Sequence, residues 1–200
     1  DSVAVLEAAN LAGTRYVVHL GGMGSSSGRF PHLNWHRDVE RYIESLGFGY
    51  TNLRTGTYMR NVLASVRPGP PVLRHFYGNA RLGWVDEIDV ACVAARALAT
   101  PEQHASRSYE LASEASTMVE VAIDVATATG LAFTAQARDP AEALDALVRG
   151  GMELSYAQSL ASILTATSRS ELEADIVVDG TIDRLTGNSG TDWTHYALRH

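Results

Sequence analysis

Two apolar periods alternate along the chain, and their order lays out a series of helices and strands. Asp1-Ser2 is placed to cap a first helix in which Val3, Leu6 and Ala9 share a face and Gly13 ends the run. Thr14 to Leu20 is rich in β-branched and apolar residues and reads as a buried strand, and the glycine- and serine-rich run Gly21 to Gly28 after it as a loop. Trp35, Val39, Tyr42, Ile43 and Leu46 then fall on one helical stripe, with Asn34 placed to cap it and Gly47 and Gly49 to stop it. Tyr50 to Leu53 follows as a short strand. Arg54 to Met59 lies just past that strand's carboxyl end, where open α/β sheets bind ligands, and leads into another helix.

Downstream, Arg67 to Pro71 is a rigid turn and Val72 to Phe76 a short strand. Asp86 caps a helix with Ile88, Ala91, Cys92, Ala95 and Leu98 on one side, ended by Thr100-Pro101. Ser108 to Leu111 is a strand. Thr117 and Glu120 make a capping box for a helix that runs to Gly130, and Leu131 to Ala135 suits a further strand. Pro140 to Val148 and Leu154 to Leu164 read as helices joined at Gly150-Gly151, and a last helix spans Trp193 to Leu198. The expected fold is α/β, a Rossmann-like parallel layer over residues 1–135 with a small helical lobe over 136–200 packed on it.

Composition narrows the function. With 200 residues and 46% hydrophobic content, a sizeable core is expected. A net charge of −7 argues against a general nucleic-acid surface. No apolar run reaches the ~18 residues needed to span a bilayer, so a cytoplasmic protein is expected. The single cysteine, Cys92, excludes an internal disulfide, and its place on an apolar helix face suggests an inert core thiol. All 16 basic side chains of the Lys and Arg class are arginines. Chemistry that needs a lysine from these residues is therefore excluded.

His36 and Glu40 stand one helical turn apart, either as an acid/base pair poised near neutrality or as a solvent-facing ion pair that only supports the helix. His32 beside them lacks the further ligands of a metal site, and none is expected. Arg54 can hold a carboxylate or phosphate bidentately, or can pair with an acid such as Asp86 or Asp89. Tyr58 and Met59 suit a flat aromatic substrate, or they fill core. Asp86 and Asp89 read as caps. Ser25 to Ser27 have no hydrolase elbow around them.

Several of these segments resemble the NmrA-like branch of the atypical short-chain dehydrogenases/reductases. The stretch Tyr50 to Asn61, YTNLRTGTYMRN, with the helix before it carries the likeness most clearly. Arg15 to Leu20, Gly83 to Ala91, Ser108 to Leu111 and Asp183 to Gly187 follow in the family's order. The resemblance implies a reductase that uses NAD(P)H on a quinone- or azo-type acceptor. Substrate-side residues would be Arg54, Tyr58, Met59, Asn61 and Trp84. His36, where the family often has lysine, would be catalytic and face the cofactor together with Gly21, Gly22 and Thr55. Gly21-Gly22 replace a serine-bearing segment, Thr55 replaces a proline, and the family's GxxGxxG fingerprint is not found in these residues. The alternative is a non-catalytic module, binding a small molecule or a partner, that folds as a dimer. By the same likeness the chain starts before the family's fifth strand, which leaves strand 15–20 at a sheet edge. A second copy in a homodimer is expected to cover that edge, or else the chain is a piece of a longer one.

Overall fold

The computed structural model describes residues 2–24, 30–63, 66, 69–173 and 176–200. Asp1, the serines of the expected loop at 25–27, and Arg67-Pro68 of the expected turn lie outside them. Helix α1 (Ser2–Leu11) leads into strand β1 (Tyr16–Gly22), helix α2 (Pro31–Ser45) and strand β2 (Gly49–Thr55). Strand β6 (Arg107–Leu111) completes a three-stranded parallel sheet in the order β1-β2-β6. Its register pairs Leu20 with Leu53 and Gly21 with Arg54, then Arg54 with Glu110.

Alternation fixes what each face of this sheet meets. Val17, His19, Gly21, Tyr50, Asn52, Arg54, Ser108 and Glu110 share one face. Val17 and Tyr50 pack there with Leu6 of α1 and with Val39, Ile43 and Phe48 around α2. Val18, Leu53, Tyr109 and Leu111 share the other face, which packs on Val90 and Val93 of helix α4 (Glu87–Ala99).

Beyond β2 the chain bends at Gly56, whose amide bonds Leu111 O at 2.9 Å. A Cβ there would come within 2.4 Å of Gly83 O, so only glycine allows this approach. Short strand β3 (Thr57–Tyr58) and helix α3 (Arg60–Leu63) follow, then strands β4 (Val72–His75) and β5 (Leu82–Val85). Strand β5 pairs parallel with β3 and antiparallel with β7 (Glu114–Ser116). The helix Met118–Thr129 and strand β8 (Thr134–Ala137) come next, and β8 pairs with β4. A second core joins Met59, Leu73, Trp84, Met118, Val121 and Val125 to Trp193 and Tyr196 of the final helix, Trp193–Leu198.

Four expectations change in detail. Strand β1 runs on through Gly21-Gly22, which were expected in a loop, because its register with β2 continues to Thr55. Helix α2 begins at Pro31 rather than after Asn34, since proline's fixed φ suits the first helical turn. The face of α4 foreseen as buried is outward: Ile88 is 51% and Leu98 57% exposed, Cys92 is exposed, and Val90, Val93 and Ala97 are buried instead. Both sides of that helix are apolar, and the sheet takes the side with the valines. Strand β8 starts three residues later than expected, and residue 135, where the first layer was expected to end, lies within it.

Among the described residues β1 pairs only with β2, so its other side is an open edge. No described helix is long and apolar enough to cross a membrane.

Candidate functional site

At the carboxyl ends of β1, β2 and β6, under α2, four charged side chains form one hydrogen-bonded run. Arg54 sits in β2 and faces α2. Its Nε and Nη2 grip Glu40 bidentately, at 3.1 Å to Oε1 and 2.8 Å to Oε2, and its Nη1 reaches Glu110 Oε1 at 3.1 Å. Arg37 donates from the preceding turn of α2 to Glu40 Oε1 at 2.5 Å. Glu40 is 4% exposed and Arg37 8%. Burial works against ionising Glu40, but the hydrogen bonds and charges of Arg54 and Arg37 outweigh it and hold its carboxyl below the usual range. Burial raises Glu110, although Arg54 opposes that shift, and the hydrogen bond to Glu40 raises Arg54 further.

His36 therefore has no ion pair with Glu40, whose oxygens are taken by the two arginines. It stands among aromatic rings instead, with centroids 4.7 Å from His32, 4.9 Å from Trp35 and 5.6 Å from His19. His32 in turn meets Tyr156 of the helix Leu154–Ser168 edge-on at 5.3 Å. Burial, with the charges of His32, His19 and Arg37 against that of Glu40, lowers His36 from 6.5 to about 4. The ring is neutral at pH 7, so the expected acid/base pair poised near neutrality does not form. Burial also lowers His19 and His32. His36 Nδ1 and His19 Nε2 are buried with no hydrogen-bond partner among the described residues.

Gly21 and Gly22 end β1 beside these rings. A Cβ at Gly21 would lie 3.5 Å from His19 Nε2 and 3.6 Å from Glu40 Oε1, and one at Gly22 would lie 3.1 Å from Leu33 Cδ2. Thr55 donates its hydroxyl to Gly21 O at 3.2 Å. Thus Gly21, Gly22, His36, Arg54 and Thr55 come together at one end of the sheet.

The remaining candidates do not join them. Met59 and Trp84 are fully buried in the second core, where Trp84 Nε1 donates to Ser116 O at 3.1 Å and its ring meets Trp193 at 5.2 Å. Tyr58 packs partly buried against the first core, and Asn61 is exposed on α3. Asp86 caps α4 through Ile88 N and pairs with Arg199, and Asp89 accepts from Thr191 N at 2.7 Å. Arg54 meets neither aspartate. Among the described residues no group of three or more His, Cys, Asp or Glu is arranged to hold a metal.

Sequence reading missed Arg37, His19 and Glu110. Strand alternation held a signal for the last two, since His19 and Glu110 share a face with Arg54 once the parallel register is known.

No protein-family model matches the chain. It is 26% identical over 193 residues to quinone oxidoreductase 2 of Escherichia coli (strain K12), a match that covers 94% of this chain and 65% of that protein. It is 25% identical over 205 residues to the NAD(P)H azoreductase of Xenophilus azovorans, covering 98% and 69%. The crystal structure of the NADPH-dependent quinone oxidoreductase from Escherichia coli complexed with NADPH superposes with a TM-score of 0.81 at 25% identity, over 99% of this chain and 70% of that one. NmrA, a negative transcriptional regulator, in complex with NADP, shares the fold at a TM-score of 0.73 and 17% identity, over 98% and 68%. The chain thus spans about two thirds of the length of these relatives, and over that span it has the fold of the NmrA-like atypical short-chain dehydrogenases/reductases.

Proposed function

We propose that the chain supplies the acceptor side of an NAD(P)H-dependent reductase for uncharged, planar acceptors of the quinone or azo type. The observation that carries this reading is the neutral His36 ring, its Nδ1 without a partner among the described residues, beside the Gly21-Gly22 end of β1. The absence of side chains at Gly21 and Gly22 lets His19, Glu40, Leu33 and His36 close in on the strand, at the end of a parallel sheet where ligands of α/β folds sit. The glycine pair and His36 suit the nicotinamide end of the cofactor. The described residues include no glycine fingerprint for its pyrophosphate.

NAD(P)H supplies a hydride when bound. The chain's own part is to orient and to exclude. With a pKa of about 4, His36 holds no proton to deliver at pH 7, so its role is hydrogen bonding to a carbonyl, hydroxyl or carboxamide. Arg54 spends its guanidinium on Glu40 and Glu110, which leaves no bidentate face for an anion. The preferred acceptor is therefore neutral.

The test titrates the chain with NADPH and NADH by calorimetry and follows nicotinamide oxidation with menadione and with an uncharged azo dye. Cofactor binding and acceptor-dependent oxidation are expected. His36→Ala should slow oxidation about tenfold, as for the loss of one hydrogen bond, while the melting temperature stays within a few degrees. No binding at millimolar cofactor would overturn the reading.

The saturated Arg54 and the open β1 edge favour a second reading, a non-catalytic binding or regulatory module that dimerises. Cofactor binding without turnover, by a dimer in light scattering, would select it.

A further inference from the structure

The turn that follows β1 is held by a side chain with no role in the chemistry proposed above. Arg37 Nη2 donates to Gly22 O at 3.1 Å and to Gly24 O at 2.9 Å, while its Nη1 holds Glu40. Glu40 is gripped by Arg54 from β2, and Arg54 by Glu110 from β6. One run of charged hydrogen bonds therefore fastens the Gly22–Gly24 backbone to the other two strands of the parallel sheet.

Gly22 is also held by its pairing with Thr55 of β2, but beyond it the backbone has few other ties. Three of the four residues from 21 to 24 are glycine, which has the most conformational freedom to lose. Gly24 has a φ of 123°, a region closed to most side chains. Met23 gives the remaining ties: its amide bonds Thr55 O at 2.8 Å, and its Sδ accepts from Val177 N at 3.4 Å.

A buried guanidinium is costly unless its donors are used. Those of Arg37 that bond go to two backbone carbonyls and a carboxylate, so it is not a ligand-binding group. We infer that Arg37 is a positioning residue: it sets the Gly22–Gly24 backbone, and with it the end of β1 beside His36 where the nicotinamide ring and the acceptor would sit. The inference rests on the function proposed above. Lysine cannot replace arginine here, because one ammonium cannot meet two carbonyls and Glu40 in the planar geometry of the fork.

The test compares wild type, Arg37→Lys and Val39→Ala. Val39 is a core residue two positions away on α2 and faces α1, so its truncation loosens the helix without touching the turn. Three quantities are measured: melting temperature, affinity for NADPH and menadione, and amide exchange at residues 22–24. Arg37→Lys should weaken ligand binding about tenfold, as expected for loss of one charge-assisted hydrogen bond, and should speed exchange at 22–24. Val39→Ala should lower the melting temperature and leave both other quantities at wild-type values. Arg37→Lys with wild-type affinity, or with unchanged exchange at 22–24, overturns the inference. If the wild-type chain binds neither ligand, the proposed function falls, and Arg37 loses its assigned role with it even where exchange responds. The two failures are told apart by whether wild type binds.

Discussion

Arg54 is the residue on which the site's charges balance. Removing it leaves Glu40, almost wholly buried, with Arg37 as its one cation, and frees Glu110 from its own. Arg54→Met should cost about 3 kcal/mol in urea denaturation, because a buried carboxylate that loses one of its two cations is penalised more than the intact arrangement is rewarded. His36 makes a prediction of a different kind. Its folded pKa, about 4, lies below its unfolded value of 6.5, so the unfolded chain takes up the proton first. The stability it contributes is whole above pH 6.5 and is lost as pH falls toward 4. His75, also lowered to about 4 by burial, adds to the loss over the same interval. The melting temperature of His36→Phe should thus fall less steeply than that of wild type between pH 6.5 and 4.5. Parallel slopes would remove His36 from the buried neutral set. Glu40 acts lower: its depressed pKa gives stability that is lost only as pH drops below its ordinary value of 4.5.

At the scale of elements, Gly56 is the joint between the two cores. With Gly83 O so close, Gly56→Ala must push β3 away from β5, and a loss of several kcal/mol by chemical denaturation is expected, in the range of overpacked or strained sites. A cost below 1 kcal/mol would mean that the joint can slide. What was legible in the sequence follows the reach of each signal. The capping box of Thr117 and Glu120 forms as read, with both reciprocal bonds, because it is local. Val39 and Ile43 lie buried on one stripe of α2 for the same reason. The orientation of α4 was not legible, since Ile88 and Leu98 are as apolar as Val90 and Val93 and only contact with the sheet chooses between them. Nor was the site's ion run, whose four members come from α2, β2 and β6. No period or spacing along the chain joins Arg37 to Gly24 or Arg54 to Glu110.

At the scale of the whole molecule, the described residues leave the outer edge of β1 unpaired, Leu20 is half exposed on it, and α4 presents Ile88, Cys92 and Leu98 outward. A two-fold partner pairing antiparallel along β1 would cover that edge, and light scattering at micromolar concentration should then report two chains. A monomer at all micromolar concentrations would exclude the arrangement.

Strand β1 carries both that edge and, at its carboxyl end, the glycines and His19 of the site. Whatever strand lies along the edge and whatever ligand lies over Gly21-Gly22 therefore share one piece of backbone. If either shifts its register or rigidity, their affinities are linked, and the factor by which the neighbour strengthens the ligand is the factor by which the ligand strengthens the neighbour.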